Sequence, residues 1–392
     1  MTTNIRRGNI PNAPSGVGPY LDEVYTLKGF FGDWSMVFRS QNVGHPVEWS
    51  NADLMNLGAD TNLLKPTDLT DSAGAPMPLL KGDGLEIALS RRSKAAPFLD
   101  KNSDSHQIRF YHRGEFELQT ELGPLDVKPG DFVVIPLGMM FREVPKTEDN
   151  AILIFESRAP IRPAEDLWDS IGLTFTAMDY TLMEVPTPQP GTKEEIANRT
   201  EVRVKLRDQY EKLVFDFDPT KDVVGWMGDA LIYKLNVWNV PGMGSSHGFL
   251  PPPSGAVLIG DDRSFFFTVQ MPRPFPNVPA PDGSYGAPAH RNDYDEFWFN
   301  HRSTHAQETE GHMWRLPPTV VHPGLKRSPE YPQNPVERIQ ECKLNFDTRV
   351  RMSWTKEAKA AFLPDPHTAV YTSLYGAHIG ILPEQALRHV KK

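Results

Sequence analysis

One cysteine, Cys342, is all that this chain of 392 residues carries. No disulfide can form within it, so a reducing compartment, the cytoplasm, is expected. Cys342 itself reads as a small core or surface residue. No run of about 18 apolar residues occurs, and no membrane span is expected. Residues 1–8 lack an apolar stretch, so no signal peptide is expected, and Arg6-Arg7 makes a poor twin-arginine signal. Positive charge is not in excess. With 50 acidic against 41 basic residues the net charge is −9, and nothing general attracts phosphates. Nucleic acid and anionic membranes are therefore not expected as partners. Long amphipathic helices are missing too. Residues 193–212 are charged and read as a helix or, better, a solvated linker. Short helices are expected at 356–362 and 384–389.

Turn formers are plentiful: 37 Pro and 29 Gly are spread along the whole chain. That spread fits many short strands joined by turns. Gln107–His112, Phe116–Thr120 and Asp131–Ile135 are short, rich in β-branched or aromatic residues, and bounded by Gly or Pro. Residues 1–75 read as an N-terminal arm with a few strands. Residues 76–223 read as a first β-rich unit plus linker, and 224–392 as a second unit with a helical tail. The two units echo one another. Phe110-Tyr111-His112-Arg113-Gly114 resembles Phe299-Asn300-His301-Arg302-Ser303, and Gln119–Gly123 resembles Glu308–Gly311. A proline follows each second glycine after six residues, at Pro129 and Pro317. Duplication of one unit points to an all-β protein of two jelly-roll barrels.

The densest chemistry lies in Pro288–Phe297. His290 stands six residues ahead of Glu296, which opens the strand-like run Phe297-Trp298-Phe299, and His322 follows a later strand-like run. Two imidazoles and a carboxylate are the donor set that holds ferrous iron on one face and leaves the other open. A structural pair on a loop and a strand is the plain alternative.

Gly130–Gly138 is similar to the second motif of cupins, with Phe141 where that motif has a His. The positions for the first-motif His and Glu hold Lys101 and Gln107. The first barrel is therefore expected to be metal-free, with His106 and His112 as ordinary strand histidines. His290-Arg291-Asn292 followed by Glu296-Phe297 resembles the iron-site motif of the homogentisate 1,2-dioxygenase family. Phe267-Thr268-Val269 before Pro272-Arg273-Pro274 is similar to the strand preceding that motif. The resemblance implies a bicupin whose C-terminal barrel binds Fe(II) through His290 and Glu296. The family's third ligand closes a turn of the type His-Pro-x-Gly-x-Pro-His, whereas this chain reads His322-Pro323-Gly324-Leu325-Lys326-Arg327-Ser328. Either His322 is the ligand, or it matches an earlier substrate-facing His and the ligand position falls near Arg327. The family's catalytic His after a Pro-Pro-Ser run is replaced here by Gly255-Ala256.

With iron on His290, Glu296 and His322, a dihydroxylated aromatic and dioxygen would share the open positions. His312 and His247 are candidate acid–base residues. His305, Phe265, Trp298 and Arg327 are candidates for contact with the substrate, Arg327 by pairing a carboxylate. Each has a plainer reading: exposed side chains for His305 and His312, sheet core for Phe265, a solvated charge for Arg327. Two functions are compatible with these residues. One is a ring-cleaving dioxygenase acting on homogentisate, gentisate or a substituted hydroquinone. The other is a bicupin that has lost redox iron and binds, isomerises or hydrolyses a small aromatic or related metabolite. The resemblance also implies a homo-oligomer: a trimer, hexamer or dimer.

Overall fold

The structure, a computed structural model, describes residues 7–8, 21–27, 29, 33–41, 48, 50–164, 180–240, 256–260, 264–270, 285–286, 289–302, 309–321, 326–327 and 342–363. Strands dominate, and the α-helices among these residues are two single turns, Lys193–Ile196 and Lys356–Lys359. None of these helices is long and apolar enough to cross a membrane.

The first barrel is built from two sheets. One runs in the order Tyr233–Asn236, Asp131–Ile135, His106–Arg113, Ala151–Ser157, Leu85–Ser90, Met77–Gly82 and Ser353–Trp354. The other runs Gln209–Phe215, Thr200–Leu206, Leu99–Asn102, Met140–Pro145, Phe116–Thr120 and Leu125–Val127. The second barrel is described chiefly by Ile161–Pro163, Ala256–Gly260, Phe265–Gln270, Cys342–Thr348, Asp295–Arg302, His312–Leu316 and Leu57–Asp60. The all-β bicupin architecture is thus present, with the three strands expected around 107–135 in place.

Strand pairing runs across residues 75 and 223, and the reading of residues 193–212 needs revision. Leu57–Asp60 of the arm pairs with His312–Leu316 in the second barrel, and Ser353–Trp354 of the tail pairs with Met77–Gly82 in the first. Tyr233–Asn236 closes the first barrel against Asp131–Ile135. Residues 193–212 are not a solvated linker. After one helical turn with a capping box from Thr192 and Glu195, they form a hairpin, Thr200–Leu206 against Gln209–Phe215. Its two-residue turn, Arg207-Asp208, has φ of 55° and 59°. Such a turn usually contains Gly or Asn. Here the Asp104 carboxylate accepts both turn N–H groups, at 2.8 and 2.9 Å, and stabilises it from outside.

The barrels meet face to face. In a strand alternate residues share a face. Phe110, Phe132 and Phe155 of the first sheet pack on Phe267, Phe299 and Phe346 of the second, with ring centroids 4.6 Å apart for Phe155–Phe267 and 5.4 Å for Phe132–Phe267. Cys342 is buried in this core.

The contacts are reciprocal, as a two-fold relation requires. Phe110 meets His301 and Phe299 meets His112, both at 4.9 Å and edge-on, at 82° and 87°. On the axis His112 Nδ1 lies 3.0 Å from His301 Nδ1. These are the residues of the first sequence echo, so duplication is visible in the packing. The second half of the echo pairs differently. Gly130 N–H donates to Tyr111 O at 2.8 Å, and Gly311 N–H to Asn300 O at 2.9 Å. The structural counterpart of Gly311 is therefore Gly130, not Gly123. Both take positive φ, 93° and 82°, where a Cβ would be strained.

Candidate active site

The string from His290 to Glu296 is held residue by residue. Ala289–Arg291 runs parallel to the arm strand Leu21–Thr26, with Val24 opposite His290. Arg291 extends over the Tyr25 ring and pairs with the buried Glu23 carboxylate at 2.7 Å. Glu23 also receives Arg39. Asn292 Oδ1 accepts the Tyr294 N–H at 2.9 Å, which makes the turn, and Asp293 Oδ1 accepts the Gly29 N–H at 2.8 Å. Asp295 is buried, accepts the Met352 N–H at 2.9 Å and pairs with Arg315 at 2.9 Å. Burial pushes its carboxyl above the ordinary range, opposed by Arg315.

These anchors bring His290 and Glu296 together. His290 Nε2 stands 3.7 Å from Glu296 Oε2. Glu296 is buried, and its other oxygen, Oε1, accepts the Trp298 indole N–H at 2.6 Å. Its cross-strand neighbour is Asp347. Asp347 is 0% exposed, and among the described residues neither of its carboxylate oxygens has a hydrogen-bond partner. Burial, and then the charge of Glu296, push Asp347 well above the usual carboxylate range. Asn345, opposite Trp298, is also fully buried with its amide unpartnered. Orphaned polar atoms facing a barrel interior indicate a site that takes up a polar guest. An imidazole with carboxylates is a donor set suited to a divalent first-row metal, iron included. Among the described residues no three His, Cys, Asp or Glu converge as a complete metal site.

Of the other predicted site residues, Trp298 shares the inward face with Glu296 and orients it. Phe265 is on the opposite face, in the core beside Phe267 and Phe346, so the sheet-core reading describes it and it does not wall the site. His312 is largely buried rather than exposed. It lies 3.7 Å from Asp60 and packs on Trp314. Leu316 is the residue opposite Glu296. His312 therefore sits four residues along that strand, about 13 Å away. His247, His305 and His322 lie outside the described residues, and of Arg327 only the backbone, paired with Tyr285, is described. Asp347 and Asn345 escaped the sequence reading. Their signal is the alternation Leu344-Asn345-Phe346-Asp347, polar residues facing inward on an otherwise apolar strand.

The first barrel shows what the same frame holds elsewhere. Gln107 faces Glu156 across the strands as Glu296 faces Asp347, and its Nε2 donates to Glu156 Oε1 at 3.0 Å. Arg109 stands where Trp298 stands. It makes two bonds of 2.8 Å to the buried Glu143 and covers the Phe141 ring. Burial opposes its charge, yet Glu143 holds the guanidinium above its ordinary range.

Comparison with known proteins places this frame. The family model for the homogentisate 1,2-dioxygenase N-terminal region matches residues 81–237. It spans the first barrel and ends just after its closing strand. A protein of Saccharolobus solfataricus named as a dioxygenase is 26% identical over 270 residues, 65% of this chain and 67% of its own. The homogentisate 1,2-dioxygenase of Pseudomonas putida is 25% identical over 222 residues, 55% of this chain and 49% of its own. That of Pseudomonas entomophila is 26% identical over 196 residues, 48% and 44%. The chain spans about half the length of these two homogentisate 1,2-dioxygenases. Among solved structures, a mutant oxalate decarboxylase of Bacillus subtilis aligns over 88% of this chain and 89% of its own, with 12% identity and a TM-score of 0.37, a likeness that says nothing of activity. The first barrel thus matches the family model of the homogentisate 1,2-dioxygenase N-terminal region, and the chain is similar, at 25–26% identity, to proteins named as dioxygenases, homogentisate 1,2-dioxygenases among them.

Proposed function

We propose that the protein is an Fe(II)-dependent dioxygenase that cleaves the ring of a para-dihydroxylated aromatic and adds both atoms of O₂. Homogentisate, gentisate and substituted hydroquinones are the candidate substrates. The observation that carries this reading is the buried His290–Glu296 pair, 3.7 Å apart, beside the orphaned carboxylate of Asp347. Its family context, with dioxygenase-named relatives, supports it. The homogentisate 1,2-dioxygenases extend that support to the substrate class only through their names, at 25–26% identity.

His290 and Glu296 would hold the iron, with His322 as third ligand. The iron would bring a ring hydroxyl and dioxygen into contact and lower the hydroxyl pKa. The residues around it have separable tasks. Trp298 ties down Glu296 Oε1, which leaves Oε2 on the His290 side. Arg291, Asn292 and Asp293 fix the turn that carries His290, through the N-terminal arm. Burial of Glu296 and Asp347 excludes water, so charge at this position acts in a low dielectric. His312, held beside Asp60 along the strand, is left out of the chemistry, so His247 is the proposed acid–base side chain, His305 a proposed substrate contact and Arg327 the proposed partner of a substrate carboxylate. We propose a cytoplasmic homo-oligomer.

The test is iron content of anaerobically purified protein, followed by oxygen uptake with homogentisate, gentisate and hydroquinone. About one iron per chain and substrate-dependent uptake are expected, and His290→Ala should lose the iron. Full iron retention in that variant would overturn the assignment. Absence of uptake with iron bound would instead favour a bicupin with another chemistry.

A further inference from the structure

The first barrel holds a partly open cavity of about 170 Å³. It lies where the second barrel places its candidate metal site. His112 and His301, related by the internal two-fold, are 189 residues apart. Lys101 and Gln107 lie the same distance before His290 and Glu296, and both line the cavity. The two-fold thus puts an ammonium and an amide where the other barrel has an imidazole and a carboxylate.

Six basic and four acidic side chains line the cavity. Most are paired. Lys205 reaches Glu156 at 2.7 Å and Glu86 at 3.1 Å, and Arg203 reaches Asp100 at 2.8 Å. Arg109 is saturated by Glu143 and Gln107. Two donors are left over. Among the described residues Lys101 has no hydrogen-bond or ion-pair partner; a carboxyl that feels its charge is Glu121. Asn102 is 4% exposed; its Oδ1 accepts the Asp104 and Ser105 N–H groups, while its Nδ2 has no partner. A buried donor without an acceptor is costly to leave so. The lining also has an apolar part: Ala88, Phe141 and Ile154, with Tyr210 from the Thr200–Phe215 hairpin.

We infer that this cavity is a second ligand site, for a small organic carboxylate of single-ring size, with Lys101 as counter-charge and Asn102 as amide donor. An ammonium and an N–H donor beside an apolar wall recognise a carboxylate attached to a hydrophobic body. The size fits, since a cavity of about 150 Å³ accommodates benzene. The inference rests on the first barrel alone and stands apart from the iron site.

The test uses the full-length protein and calorimetric titration with sodium benzoate, with benzamide as the neutral isostere. Benzoate should bind, and benzamide should bind on the order of tenfold more weakly. Lys101→Gln should weaken benzoate on the order of tenfold and Lys101→Arg should restore most of the affinity. His290→Ala should bind benzoate as the wild type does. No benzoate binding up to about 10 mM, equal affinity for benzamide, or unchanged affinity in a folded Lys101→Gln variant would overturn the inference. Loss of binding in His290→Ala would assign the carboxylate to the second barrel and overturn it as well.

Discussion

Acidification should loosen the junction between the barrels through the His112–His301 pair. The rings are 3.0 Å apart at their Nδ1 atoms, so one donates its proton and the other accepts. A second proton would set two donors against each other in a buried site. Burial, followed by the Arg302 charge, lowers the His301 pKa to about 3. Burial and then the His301 charge lower His112 as well. The folded pKa lies below the unfolded value of about 6.5, so the stabilisation is full above that pH. It is lost as pH falls from about 6.5 towards 3. Between pH 7 and pH 5 the unfolded imidazole takes up about 0.7 of a proton and the folded His301 almost none. The loss from His301 alone is about 2 kcal/mol, with a share of the same sign from His112. Urea unfolding at the two pH values measures it, with Trp238, whose ring lies 6.3 Å from His301, as a local fluorescent probe. In His301→Asn the difference between pH 7 and pH 5 should shrink by about 2 kcal/mol. An equal loss in wild type and variant would refute the reasoning, because carboxylates elsewhere titrate alike in both.

Arg109→Ala should cost about 3–5 kcal/mol in urea unfolding, since Glu143 would stay buried without its counter-ion; exchanging Arg109 and Glu143 together for Leu should cost clearly less. Arg291→Ala strips one partner from the buried Glu23. It should free the N-terminal arm to limited proteolysis and destabilise by about 1–2 kcal/mol; an arm as resistant as in the wild type would show that strand pairing alone holds it.

The strands of the first barrel were legible because their alternation is local. Phe116-Glu117-Leu118-Gln119-Thr120 places every second residue inward, as period two demands. The hairpin at 200–215 was not. Its turn lacks Gly and Asn, its outer strand is almost wholly exposed, and the acceptor that secures the turn is Asp104, about a hundred residues away in sequence. Edge exchange between barrels was hidden for the same reason. Leu57–Asp60 is four residues long, and nothing local says which sheet it joins. In the site, His290 and Glu296 stood out because their spacing belongs to one turn and one strand. Asp347 sits on another strand; the alternation Leu344-Asn345-Phe346-Asp347 hints that it faces inward, but that it faces Glu296 is shown by the pairing alone. Trp298 reads as a core aromatic until its N–H is seen on Glu296.

The two barrels answer one geometric problem in opposite ways, and the difference can be measured. Adjacent strands in each frame place two long polar side chains opposite each other inside the barrel. In the first barrel the pair is Gln107 and Glu156, one charge, relieved by an amide bond of 3.0 Å and by Lys205. In the second it is Glu296 and Asp347, two buried carboxyls that cannot both ionise without a cation between or beside them. Asp347 is accordingly pushed well up, by burial first and Glu296 second. Without metal that arrangement destabilises the barrel at neutral pH. Glu296→Gln should convert the second pair into the form of the first, with the introduced amide free to donate to Asp347. In the presence of EDTA the variant should be more stable than the wild type by about 1–2 kcal/mol at pH 7, and its advantage should fade as pH falls and Asp347 protonates in both. With Fe(II) added, the wild type should gain stability and the variant should not. A metal-free Glu296→Gln variant less stable than the metal-free wild type would show that the two carboxyls are relieved by something other than a bound cation.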